Sequence, residues 1–174
     1  MKKTALLYWA PGGNVEKAAR EIYGYFDPGS VEMSTVAEFD TSRLNEFDQF
    51  IFGCATIGAE VWLDVRADNK WNEFFVKTEK SSFAGKKFAI FGLGDQVKYP
   101  EHYVDSLGYM KEEIEKRGGL IVGKWPTEGY TFYDSEGASE GMFYGLALDE
   151  DQQSELSSER IKKWVLLLRK EFLV

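Results

Sequence analysis

This sequence predicts an α/β fold, a parallel sheet with helices packed on both faces. Three observations carry that expectation. Apolar, strand-like runs alternate with helix-spaced segments from end to end; several of those runs open into glycine-bearing loops; and KFAIFG (87–92) is continuously apolar, as suits a strand covered on both sides. Five such strands separated by helices require crossover connections, which are right-handed in nearly all parallel sheets.

Residues 4–9 form the first apolar run. Residues 14–25 follow with helical spacing through Val15, Ala18, Ala19, Ile22 and Tyr23, with Asn14 placed to cap and Glu16 in the first turn. Asp27-Pro28-Gly29 ends that helix. A short strand is expected at 31–33 and a stronger one at 47–53 (FDQFIFG), then a helix at 71–78 and the strand at 87–92. The helix at 103–117 closes on Gly118-Gly119, a left-handed stop, and the fifth strand is expected at 120–125. Residues 126–141, rich in Gly, Ser, Thr, Tyr and acid, read as an insertion interrupting the edge strand, before the short run 142–148 and a last helix at 157–172.

The 174 residues suit one domain spanning 1–174, since no linker or charge block divides them. A formal charge of −8 argues against nucleic acid, whose phosphates need clustered Lys and Arg, and favours a basic protein partner. Cys54 is the single cysteine, so an internal disulfide and a cysteine metal cluster are excluded, and one histidine, His102, leaves no histidine-based metal site or triad. The opening MKKTALLYWAPGG lacks the small-residue cleavage site of a secretory leader. No stretch approaches the ~18 apolar residues of a spanning helix. No membrane association and a cytoplasmic location are therefore expected.

In open α/β sheets ligands sit beyond the carboxyl ends of the strands, where strand order reverses. That directs attention to three loops, at 10–15, 54–70 and 93–103. In the first, an apolar strand enters Ala10-Pro11-Gly12-Gly13-Asn14-Val15 and becomes a helix, so backbone N–H groups and the helix's positive end converge as in an anion site. In the third, Gly92 and Gly94 flank Leu93 and allow close approach of a planar ligand; Asp95 can accept from a ring N–H, and Tyr99 can stack. The same residues also suit an ordinary turn in which Asp95 caps the backbone and Tyr99 covers an edge. Cys54 reads either as a redox thiol or as a small apolar residue. The charged run Asp149-Glu150-Asp151 reads as solvated surface, and the third strand offers no acid where a phosphorelay receiver would need one.

The segments FGLGDQVKYPEHYVDSLG, EKRGG, IVGKWPTEGYTFYDSEG and GLALDEDQQSELSSERIKKWV, in that order and spacing, resemble the flavodoxins, and specifically their long-chain branch. The resemblance spans essentially the whole chain. It implies strand order 2-1-3-4-5, a non-covalently bound FMN and transfer of single electrons between redox proteins. It also implies a monomer, and a carrier with donors and acceptors rather than an enzyme with its own substrate.

Carried over residue by residue, the third loop is intact: Gly92, Gly94, Asp95 and Tyr99 match the positions that hold the isoalloxazine ring, with Leu93 between the glycines. His102 stands where the family commonly has Asn, and Asp149 matches an acid near the ribityl chain or a structural acid beside the last strand. The first loop departs from Ser/Thr-x-Thr-Gly-x-Thr. All three hydroxyls are missing at Ala10, Gly12 and Val15, and Pro11 removes a backbone donor, leaving Gly12, Gly13, Asn14 and Val15 to hold a phosphate by N–H. Hydrogen bonds to charged groups contribute ~1.5–3 kcal/mol each, so their loss weakens phosphate binding by orders of magnitude. In the second loop Ala55-Thr56-Ile57 replaces Pro-Thr-Trp. Ile57 packs without stacking. Trp62 lies in extra length and either covers the ring or packs the loop onto the sheet, and Gly58 falls at the peptide expected to reorient toward the ring.

The leading expectation is an FMN-binding, low-potential electron carrier serving basic-patched redox proteins. The alternative is a protein of the same fold whose FMN binding is weakened or lost and which acts as an interaction or regulatory module. An FMN-dependent reductase with a small-molecule substrate comes third.

Overall fold

A computed structural model describes residues 2–55 and 69–173. The chain runs β1 (Thr4–Tyr8), α1 (Asn14–Gly24), β2 (Val31–Thr35), a 3-10 turn (Thr41–Glu46), β3 (Gln49–Ala55), α2 (Lys70–Lys77), β4 (Lys87–Leu93) and α3 (Asp105–Lys116). It continues through β5 (Leu120–Val122), β6 (Trp125–Pro126), β7 (Ala138–Ser139), β8 (Met142–Phe143), β9 (Leu146–Leu148) and α4 (Ser154–Leu173). The main sheet has the order β2-β1-β3-β4-β5, and every strand pair in it is parallel. This is the expected doubly wound arrangement.

Alternation along the central strands divides the core. Phe50 and Phe52 of β3 and Phe88 and Ile90 of β4 point to one face, where α2 and α3 bury Trp71, Phe74, Leu107, Met110 and Ile114. Ile51, Ala89 and Phe91 point to the other, against Val15, Ala19 and Ile22 of α1 and Ile161, Trp164 and Leu168 of α4. Aromatic contacts dominate the first face: Phe50 stacks on Phe88 at 4.9 Å between centroids, and Phe52 lies 4.7 Å from Trp71. Each such pair contributes ~0.5–1.5 kcal/mol beyond the area it buries.

The edge position beside β4 is filled twice. β5 pairs with Lys87–Ala89, and after the chain has left and returned, β9 pairs with Phe91–Leu93. The strand expected at 120–125 therefore stops at Val122, and Trp125–Pro126 joins β8 and β7 in a separate antiparallel sheet. Gly145 makes the return possible, because a Cβ there would stand 2.0 Å from the Ile90 carbonyl oxygen.

The insertion braces the loop after β4 from behind. Tyr130 donates its hydroxyl to the Ala147 carbonyl at 2.7 Å and accepts from Trp125 Nε1, and Tyr130, Phe132 and Phe143 pack around Tyr103. Arg160 of α4 lies over the Tyr130 ring, 4.0 Å from its centroid.

Three local expectations change. Gly13, not Asn14, is the N-cap of α1, and Asn14 is the first helical residue. α3 begins at Asp105 rather than 103, since Val104 holds a left-handed φ of 47°. α4 begins at Ser154, three residues early, directly after a turn whose N–H groups the Asp149 carboxylate gathers.

Candidate functional site at the strand ends

The loops that follow β1 and β4, together with the turn after β9, meet at the carboxyl end of the sheet. Between them lies a cavity of about 240 Å³. Of the residues the sequence reading names, Asn14, Val15, Leu93, Gly94, Asp95, Tyr99 and His102 line it. Ala55 and Tyr103, which fall within two of the three loops singled out, and Val104, Glu150 and Asp151, which fall outside them, also line it. Adjacency to His102 and to Asp149 was the only signal for most of these.

The loop after β4 is held by two carboxylates. Asp95 Oδ1 accepts from the N–H groups of Val97 and Lys98 at 3.0 and 2.9 Å and from Gln152 Nε2 at 3.2 Å; all three bonds fall on one oxygen. Hydrogen bonding outweighs burial there and holds the Asp95 pKa below its ordinary value. Asp149 is fully buried behind the cavity wall. Its Oδ2 accepts from Gln96 N–H and Nε2 at 3.0 and 2.9 Å, and its Oδ1 from Asp151 and Gln152 N–H at 3.1 and 2.9 Å. Asp149 thus ties the two loops together, and its neighbours Glu150 and Asp151 face the cavity.

Gly92 lies within β4 against α3, where a Cβ would meet Leu107 at 2.9 Å, so its small size serves helix packing. Gly94 sits against the Tyr103 ring, 3.1 Å from where a Cβ would stand. The Tyr103 hydroxyl is buried and without a hydrogen-bond partner among the described residues, and burial raises its pKa. His102 Nδ1 lies 2.9 Å from Asp105 Oδ2, a contact that raises the histidine pKa above its ordinary value. Asp105 is itself buried and accepts Glu136 N–H on its other oxygen.

The loop after β1 is built differently. Ala10, Pro11, Gly12 and Gly13 form the turn before α1, with Gly12 at φ 83°, and the wall of the cavity begins only at Asn14 and Val15. Glu16, in the first turn of α1, accepts Gly12 N–H at 2.7 Å. Thr56, Ile57, Gly58 and Trp62 lie outside the described residues. Cys54 is buried, with Sγ toward Ser106 Oγ and the Phe91 carbonyl, and burial pushes its thiol up to about 12, so it is an inert small residue.

Against known proteins, residues 6–164 match the family model described as Flavodoxin. The chain is 39% identical to a flavodoxin of Picosynechococcus sp. over 173 residues, covering 99% of each. It is 37% identical to flavodoxin 1 of Escherichia coli (strain K12), covering 98% of this chain and 95% of that one. Among solved structures it resembles Fusobacterium nucleatum flavodoxin bound to flavin mononucleotide, with a TM-score of 0.87, 26% identity, and coverage of 98% of this chain and 99% of that one. Fold, strand-end cavity and full-length similarity agree: the chain belongs to the flavodoxin family.

Proposed function

We propose that the protein is an electron carrier that holds FMN, non-covalently, in the cavity at the strand ends. One observation carries the reading: the loop after β4, which matches the family's ring-binding loop at Gly92, Gly94, Asp95 and Tyr99, opens onto a cavity that reaches the first turn of α1. The donor set fits the group. Tyr99 presents a half-buried ring, Asp95 keeps one carboxylate oxygen outside its own loop's bonds, Asn14 and Val15 bring the first turn of α1 to the wall, where its N–H groups would meet an anion, and Tyr103 brings a buried hydroxyl that has no hydrogen-bond partner among the described residues. FMN would supply the reversible one-electron chemistry.

The chain's own residues position and tune. Tyr99 would stack on the ring, and Asp95, held by its three hydrogen bonds, would accept from a ring N–H. Glu150 and Asp151 at the rim place negative charge beside the site, which disfavours an additional electron and lowers the potential of that step. The overall charge of −8 draws partners with basic patches. We further read residues 1–174 as one domain, monomeric and cytoplasmic; among the described residues no helix is long and apolar enough to cross a membrane.

Family membership and a complete ring loop favour the carrier over a module that has abandoned the cofactor. A potentiometric titration of the FMN-loaded protein tests the reading against the reductase alternative. Two separated one-electron waves, with no NAD(P)H oxidation in the presence of a quinone, are expected. A single two-electron wave with steady NAD(P)H turnover would show an enzyme instead.

A further inference from the structure

The strand-end cavity is acidic and has one histidine in its wall, and the role of that histidine rests on the flavin reading above. Asp95, Glu150 and Asp151 line the cavity. Among the described residues that line it, His102 alone can carry a positive charge. Two lysines are engaged beside it: Lys98 Nζ lies over the Tyr99 ring, 5.4 Å from its centroid, and Lys17 Nζ lies 3.8 Å from Glu150 Oε2.

His102 is held through one ring nitrogen. Its Nδ1 lies 2.9 Å from Oδ2 of the buried Asp105, and an ionised carboxylate only accepts, so Nδ1 keeps its hydrogen and Nε2 is where a proton comes and goes. No other hydrogen bond reaches the ring among the described residues. The side chain is 41% exposed, which lets it exchange protons with solvent. Acids surround it from several elements: Asp105 on α3, Glu101 on its own loop and Glu136 on the insertion favour the charged ring and hold its pKa above the ordinary value. Asp95, Glu150 and Asp151 share the cavity wall with it, and Tyr99 and Tyr103 complete the titratable groups there.

Each electron delivered into this cavity adds negative charge among carboxylates. His102 is the one described wall residue able to answer it with a positive charge. We propose that His102 carries the redox-linked proton of the site: as the second electron reaches the flavin, one proton passes from solvent to His102 Nε2. The electron comes from the donor protein, the added charge is met on the protein, and no bond of the flavin ring is made or broken. The asparagine common at this position in the family has no such proton to take, because its amide does not titrate.

The test follows the His102 ring by NMR across pH in apoprotein, in protein loaded with oxidised FMN and in the same protein fully reduced with dithionite. The His102 pKa should be higher by about one unit or more in the reduced than in the oxidised protein, a tenfold gain in proton affinity. Between those two pKa values the potential of the second electron should fall by about 59 mV for each unit of rising pH, the equivalent of tenfold in the equilibrium constant. In His102→Asn it should be flat over that range, since the carboxylates of the wall ordinarily titrate near pH 4. Equal His102 pKa values in the two redox states, or a slope that survives in His102→Asn because the proton goes to the ring, overturns the assignment and leaves the flavin reading standing. If apoprotein binds no FMN, the flavin reading fails and this inference with it. The NMR comparison on the wild-type chain decides the matter even if His102→Asn does not fold.

Discussion

The loop after β1 and the loop after β4 lie side by side at the same end of the sheet, yet they use their polar groups in opposite ways. After β4, Asp149, Gln96 and Asp95 are engaged behind or within the loop, and that bracing leaves Tyr99, Gly94 and the rim of the cavity free for a ligand. After β1, the donor Gly12 is engaged by Glu16 of the following helix, and Ala10, Gly12 and Val15 carry no hydroxyl. One loop is internally satisfied so that it can bind. The other commits one of its few donors to its own helix.

The largest expected effect comes from removing the brace. Asp149→Ala leaves the N–H groups of Gln96, Asp151 and Gln152 without their buried acceptor, and at ~1–3 kcal/mol for each unsatisfied group it should lower stability by about 3 kcal/mol or more. Urea unfolding measures this. A loss under about 1 kcal/mol would mean that the loop after β4 stands without its support.

Next in size is the ring contact itself. Tyr99→Ala should weaken FMN and riboflavin equally, by about ten- to a hundredfold, because stacking on an aromatic side chain contributes ~1–3 kcal/mol and both ligands share the ring. Unequal losses would mean that Tyr99 senses the phosphate end. Restoring chemistry to the other loop should act the opposite way. Ala10→Ser returns one family hydroxyl and should strengthen FMN alone by up to about tenfold, given ~1.5 kcal/mol for one hydrogen bond to a charged group. If riboflavin gains as much, the hydroxyl is reaching something other than phosphate.

The smallest effect belongs to His102, at the margin of the stronger loop. Its folded pKa is raised by Asp105, so the interaction stabilises fully below the ordinary value of 6.5 and is lost as pH rises through the higher folded value. The single histidine of the chain gives an unobstructed NMR titration. Its midpoint should lie above 6.5 and fall toward it in Asp105→Asn.

Much of this was legible before any coordinates. Continuous apolar runs announce buried parallel strands because both of their faces are covered, and the loop after β4 is readable because Gly94, Asp95 and Tyr99 act within a few residues of one another. What escaped depends on distance in sequence. Asp149 reads as part of an acidic surface run, as an acid near the ribityl chain or as a structural acid beside the last strand, and only Gln96, 53 positions away, shows how it is used. The fifth strand ended early because the edge of β4 had to be shared with β9, a competition that no local pattern records. Glu16 was visible as a first-turn acid, but its reach back to Gly12 depends on a glycine N-cap that offers no side chain of its own.

The most direct measurement is the flavin content of the protein after apoprotein is mixed with a small excess of FMN and passed through a desalting column. The account expects about one FMN retained per chain with its fluorescence quenched, and a marked loss of both in Tyr99→Ala. A wild-type protein that emerges without flavin, and leaves free FMN fluorescence unchanged at micromolar concentrations, would contradict it.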